Sequence, residues 1–133
     1  VCSCLLHDYG HFILDNPDEL VKKNKDGKHE DIGYEYLKKF FKKEIVEPIK
    51  HHVQAKRYLA RDKKYYNRLS KASVVSLKLQ GGLLNSKEAK TFEKEEFFKE
   101  AIKLRKFDET AKKVGLKIKD IIDYKDLLKA SLK

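Results

Sequence analysis

The stretch IVEPIKHHVQAKRYL, residues 45–59, decides how the rest of the chain is read. Ile45, Ile49, His52, Lys56 and Leu59 recur within it at spacings of three and four. On an α-helix that spacing stacks side chains along one face. A strand would need a period of two, and no run of the chain keeps that period over a strand length. A helix is therefore expected at about 45–61, with Pro48 near its start, where a missing N–H is tolerated. The unusual feature is chemical: the apolar stripe carries an imidazole.

Two more segments repeat the arrangement. In a helix expected at 29–43, His29, Gly33, Tyr36 and Phe40 share a face. In one expected at 94–114, Phe97, Ala101, Leu104, Asp108 and Ala111 do the same. Further helices are expected at 69–79, 85–92 and 120–131. Asn85 offers an N-cap and Glu88 its capping-box partner, just after the Gly81-Gly82 break. Near the start, CLLHDYGHF (residues 4–12) sets His7 and Asp8 behind an apolar run, with His11 four positions after His7. Residues 1–8 read as the end of a helix stopped by Gly10. Residues 10–28, holding Asn16-Pro17-Asp18 and Asp26-Gly27, read as mainly loop. The chain opens on Val1, inside an apolar stretch without a cap, so an N-terminal part is expected to be missing. The fold class is all-α.

Composition narrows the function. Of 133 residues, 41% are hydrophobic and 39% charged, a globular balance rather than a disordered one. No apolar run approaches the roughly 20 residues that span a bilayer, so no membrane is expected. The first residues lack the basic flank and cleavage site of a signal peptide. Cys2 and Cys4 read as small reduced core residues, which suits a reducing, cytoplasmic compartment. The formal net charge is +10, but lysines alternate with acids, as in KEAKTFEKEEFFKEAIKLRK (87–106). That pattern describes a solvated face, so nucleic acid is not expected. A basic surface does favour small anions.

The polar residues on the apolar faces carry the chemistry. Burying a carboxylate such as Asp108 is costly unless it is paired or binds a metal. With His7 and Asp8 the set holds three imidazoles and two carboxylates, a mixture that suits iron, manganese or zinc. Each residue alone has a simpler explanation. A core histidine usually finds a hydrogen-bond partner, Asp108 can pair with Arg105 one turn back, and Lys56 can snorkel. Residue by residue the simpler explanation is the better one; for the whole set it needs five coincidences, which a metal centre would not.

LLHDYGH (5–11), KHEDIGYEYL (28–37), HHVQAKRYLARDKKYYNRLSKASVVSLKLQGG (51–82) and LRKFDETAK (104–112) carry a resemblance, in order and spacing. They resemble the HD-domain mixed-valent di-iron oxygenases, in particular those that cleave phosphonates. The resemblance runs from Cys4 to about Lys113. It implies an all-α HD-domain bundle lacking its first helix, with one domain over 1–133. It implies two iron ions (Fe2+/Fe3+) and dioxygen as co-substrate. His7, Asp8, His29, His52 and Asp108 match the metal ligands, with Asp8 bridging the irons. His11, Lys56, Ser73 and Arg105 match positions that hold the substrate's phosphonate. A sixth ligand of the family, a His on an upstream helix, has no counterpart in this sequence. His51 matches no ligand and is expected to be exposed. The implied reaction is oxidative C–P cleavage of a small 1-hydroxyphosphonate, of the 2-amino- or 2-trimethylammonio-1-hydroxyethyl type. It releases phosphate and a carboxylic acid.

Two rivals stand beside this reading. An HD phosphohydrolase acting on a nucleotide or phosphate ester would keep His7, Asp8 and Asp108 and use a metal-activated water. A basic helical binding module would need no metal. The phosphohydrolase gives no reason for AKRYL (55–59) or for the LSKAS…LQGG run (69–82).

Overall fold

The computed structural model describes residues 1–13, 28–111 and 121–133. Regular structure among them is helical, apart from one isolated antiparallel bridge between Phe41 and Leu132. The helices are α1 (Cys2–Leu6), α2 (Gly10–Ile13), α3 (His29–Leu37), α4 (Lys43–Leu59), α5 (Lys63–Arg68), α6 (Lys71–Leu79), α7 (Ser86–Glu93), α8 (Phe98–Ala111) and α9 (Lys125–Ala130). A 3-10 turn, Ile121–Tyr124, leads into α9.

α4 is the axis of the structure and packs against α1, α3 and α8. Its buried residues include Val46, Ile49, His52, Val53, Ala55 and Lys56, so the stripe read in the sequence is the face that enters the interior. The helix begins at Lys43, two residues earlier than expected, and Pro48 therefore lies inside it. That position forfeits one backbone hydrogen bond.

Two apolar clusters flank His52 along α4. One holds Leu37, Val46 and Ile49, with Leu6, Tyr9, Tyr34 and Phe41 against them. The other holds Ala55, Leu84, Ala89, Phe92 and Ala101, with Tyr58, Phe98 and Ile102. The second cluster is ring on ring: Phe92 meets Phe98 edge-on at 5.1 Å, and Tyr58 meets Phe98 at 5.3 Å.

Several expectations need correcting. Gly10 does not stop a helix; it opens α2. A Cβ there would stand 1.8 Å from the carbonyl oxygen of His29, and one on Gly33 would stand 3.1 Å from the nitrogen of Gly10. Only glycine lets these two backbones touch. The contact sets α2 directly on the first turn of α3. The buried face of α3 is His29, Gly33 and Leu37, while Tyr36 and Phe40 are 41% and 47% exposed. Positions three and four beyond Gly33 lie on nearly the same side of a helix, and the core takes the fourth. α8 starts at Phe98 rather than 94. α5 was not expected; Asp62 caps it, accepting from the backbone N–H of Lys64 at 2.7 Å. The Asn85–Glu88 capping box of α7 is formed as read. The Asn16-Pro17-Asp18 and Asp26-Gly27 turns, and the end of the helix expected to reach 114, lie outside the described residues.

Candidate metal centre

Four elements deliver side chains to one point. The turn after α1 brings His7 and Asp8, α3 brings His29, α4 brings His52, and α8 brings Asp108. His7 Nε2 lies 3.2 Å from Asp8 Oδ2 and 3.2 Å from Asp108 Oδ1. His29 Nε2 lies 3.2 Å from Asp8 Oδ1 and 3.0 Å from His52 Nε2. His52 Nε2 is 3.8 Å from the same Asp8 oxygen. Asp8 is thus the hub, one oxygen toward His7 and the other toward His29 and His52. Its side chain is 56% exposed, whereas the three imidazoles and Asp108 are buried. The centre is closed on the protein side and open at Asp8.

The imidazoles are oriented from behind. His7 Nδ1 donates to the carbonyl of Cys4 at 2.6 Å, and His52 Nδ1 donates to the carbonyl of Ile49 at 2.5 Å. A carbonyl can only accept, so Nδ1 carries a proton and Nε2 is the nitrogen that faces the centre. His29 Nδ1 lies 3.5 Å from Glu30 Oε2.

Charge is unevenly held. Burial disfavours a protonated His7, yet the Asp108 and Asp8 carboxylates overcome it and push its pKa up to about 10. Burial, reinforced by the His29 and His7 rings, pushes His52 down to about 3. Burial works against the Asp8 carboxylate, but His29 and His7 outweigh it and hold the group far below the ordinary carboxylate range.

This donor set fits a metal ion. His7 Nε2 is buried and has no hydrogen-bond partner among the described residues, although two carboxylate oxygens stand close by. A cation placed among them would satisfy all three atoms. Donor atoms of His7, Asp8 and His52 lie within 4.8 Å of one another, as do those of Asp8, His11 and His29. The second trio is less apt. The rings of His11 and His29 stack at 3.9 Å with planes 14° apart. Lone pairs lie in the ring plane, so nearly parallel stacked rings do not converge on one ion. His11 is half-exposed, with Nε2 3.9 Å from Asp8 Oδ1, at the rim.

The other polar residues read from the sequence lie on α4, α6 and α8. Lys56, one turn beyond His52, is 4% exposed and does not snorkel. Its ammonium donates to Ser76 Oγ at 2.8 Å. Ser73, one turn before Ser76 on α6, is buried, and its hydroxyl accepts from Ser70 Oγ at 3.0 Å. Arg105 donates from Nη1 to Asp108 Oδ2 at 2.6 Å, from Nη2 to Glu109 Oε1, and from Nε to the Tyr65 hydroxyl at 3.2 Å. Three of the five N–H groups of a guanidinium thus have acceptors. His51 is not exposed as expected but half-buried, with Nε2 3.6 Å from Glu47 and Nδ1 3.3 Å from Gln54 Oε1. Ser76, Tyr65 and Glu109 were not singled out in the sequence. Ser76 had a signal, being one turn from Ser73; Tyr65 had none.

No helix among the described residues is long and apolar enough to cross a membrane. The HD domain family matches residues 1–128. A hydroxymethylphosphonate dioxygenase of Gimesia maris is 44% identical over 126 residues, covering 93% of this chain and 63% of that protein. A [1-hydroxy-2-(trimethylamino)ethyl]phosphonate dioxygenase (glycine-betaine-forming) of Leisingera caerulea is 40% identical over 121 residues, covering 90% of this chain and 62% of that protein. An uncharacterized protein of Acanthamoeba polyphaga mimivirus is 36% identical over 132 residues, covering 96% and 60%. The chain therefore spans somewhat under two thirds of the length of the curated relatives it matches.

Proposed function

The chain belongs to the HD domain family, and from that premise we propose that it is the metal-binding part of a di-iron dioxygenase that cleaves the C–P bond of a small 1-hydroxyphosphonate. The observation that carries this reading is the convergence of His7, Asp8, His29, His52 and Asp108 on one point, with a buried Nε2 left for a cation. The two relatives named as hydroxyphosphonate dioxygenases support the substrate class.

In this reading His7 and Asp108 would hold one iron and His29 and His52 the other, with the Asp8 carboxylate available to both. Bound iron supplies dioxygen activation and the redox capacity for the oxidation. The rest falls to the protein. The Cys4 and Ile49 carbonyls keep two ligand imidazoles in the metal-binding tautomer. Lys56, whose ammonium donates to Ser76, offers a buried positive charge for a phosphonate, and Arg105 on α8 offers a second. His11, at the open rim, is placed to donate to an anion entering past Asp8. One dioxygen and one hydroxyphosphonate give one carboxylic acid and one phosphate. A C–H and the C–P bond break, carbon is oxidised, phosphorus is not, and both oxygen atoms enter the products. The substrate's other end is proposed to carry an amino or trimethylammonio group, or none.

The test is phosphate release from hydroxymethylphosphonate and from 2-amino- and 2-trimethylammonio-1-hydroxyethylphosphonate, with and without oxygen, against a panel of nucleotides. Oxygen-dependent release from a hydroxyphosphonate is expected. Lys56→Ala should keep its metal and lose about ten- to a hundredfold in apparent substrate affinity, the scale of one charge-assisted contact. Anaerobic phosphate release from a nucleotide, with every hydroxyphosphonate inert, would establish the phosphohydrolase instead.

A further inference from the structure

Arg105 is buried, and its surroundings specify which way it faces. Asp108 and Glu109, three and four residues along α8, tie it to its own helix. The third partner comes from elsewhere: Tyr65 sits on α5, forty residues back in the chain. Its hydroxyl accepts from Arg105 Nε at 3.2 Å and donates to Glu109 Oε1 at 3.3 Å. Arg105, Glu109 and Tyr65 thus close a ring of hydrogen bonds. A guanidinium is planar, and acceptors on three of its edges fix its rotation. Once fixed, it holds Asp108 Oδ2 at 2.6 Å and leaves Oδ1 facing His7 Nε2 at 3.2 Å.

We propose that Tyr65 and Glu109 are positioning residues for the metal centre: they hold Arg105, and Arg105 sets Asp108 so that Oδ1 is the oxygen presented beside His7. This rests on the metal-centre reading above and adds to it a third layer, outside both the ligands and their immediate partners. Removing the Tyr65 hydroxyl takes an acceptor from Arg105 and a donor from Glu109 at once. The guanidinium then regains a rotation, and Asp108 regains the choice of oxygen.

Cobalt(II) titration of the full chain tests this, because the visible spectrum of the ion reports its coordination. The variants are Tyr65→Phe, Glu109→Ala and Glu109→Gln, with Tyr58→Phe as control. The Tyr58 hydroxyl donates to Glu93 at 2.7 Å on an exposed rim, a comparable pair with no link to the centre. Tyr65→Phe and Glu109→Ala should each bind cobalt about tenfold more weakly and change its spectrum, the scale seen when partners of metal ligands are removed. Glu109→Gln keeps an acceptor oxygen and should recover most of the affinity. Tyr58→Phe should match the parent in both readouts. Parent-like affinity and spectrum in Tyr65→Phe and Glu109→Ala would overturn the positioning role while leaving the metal centre intact. A parent chain that takes up no cobalt would overturn both. Should Glu109→Ala fail to fold, the isosteric Tyr65→Phe decides.

Discussion

Around Phe92 the interior is rings and methyls: Tyr58 and Phe98 pack against it, with Ala55, Ala89 and Ala101 in the same cluster. Around His52 the interior is imidazole edges and carboxylate oxygens. Both regions are built on α4, three residues apart, and Ala55 and His52 are buried almost alike. The apolar region is complete as it stands, since each group's neighbours satisfy it by contact alone. The polar region keeps a buried nitrogen without a hydrogen-bond partner among the described residues. Stability should therefore reside mainly in the first region and chemistry in the second, and the two should be separable by substitution.

The largest expected effect tests the apolar side. Phe92→Ala leaves a cavity in the most closed cluster and should cost about 3–5 kcal/mol in chemical denaturation. The fraction that stays folded should bind metal with the parent's stoichiometry. Loss of metal from folded Phe92→Ala protein would show that the regions are one unit. His52→Leu addresses the polar side. It should abolish binding at one metal position, measured by metal analysis, yet move the stability of the metal-free chain by less than about 1.5 kcal/mol, as volume-conserving core changes do. A much larger loss would mean that the imidazoles support the fold as well as the site. The smallest effect sharpens the boundary. His51 adjoins His52 in sequence but turns toward Glu47 and Gln54. His51→Ala should leave metal content unchanged and shift stability by about 1 kcal/mol or less.

Helical spacing carried most of the fold into view, because one buried face imposes a period on the letters. It chose the face of α4 on which His52, Lys56 and Ile49 lie, and it separated His52 from His51. It misplaced the stripe of α3 because Tyr36 and Leu37 fit a helical face about equally well. It missed α5, whose six residues, Lys63–Arg68, have no buried member and so no period to read. Gly10 looked like punctuation; its reason is Gly33 and the His29 carbonyl, a contact between backbones that no local pattern announces. In the centre, the candidate ligands were legible as polar interruptions of apolar faces. The company of Arg105 was legible only in part. Asp108 is one turn away and was anticipated as an ion-pair partner, whereas Tyr65 is brought there by the fold.

The acceptors behind His7 and His52 are the carbonyls of Cys4 and Ile49, each three residues earlier in the chain. Every residue has a carbonyl, so this clamp leaves no trace in the choice of amino acid at either position. Substitution at residues 4 and 49 is therefore free to follow the needs of packing without retuning the candidate ligands. The clamp also forms within a single turn of chain. Each of these two ligands is aimed by its own helix as that turn winds, so assembly of the centre reduces to bringing together parts already aimed.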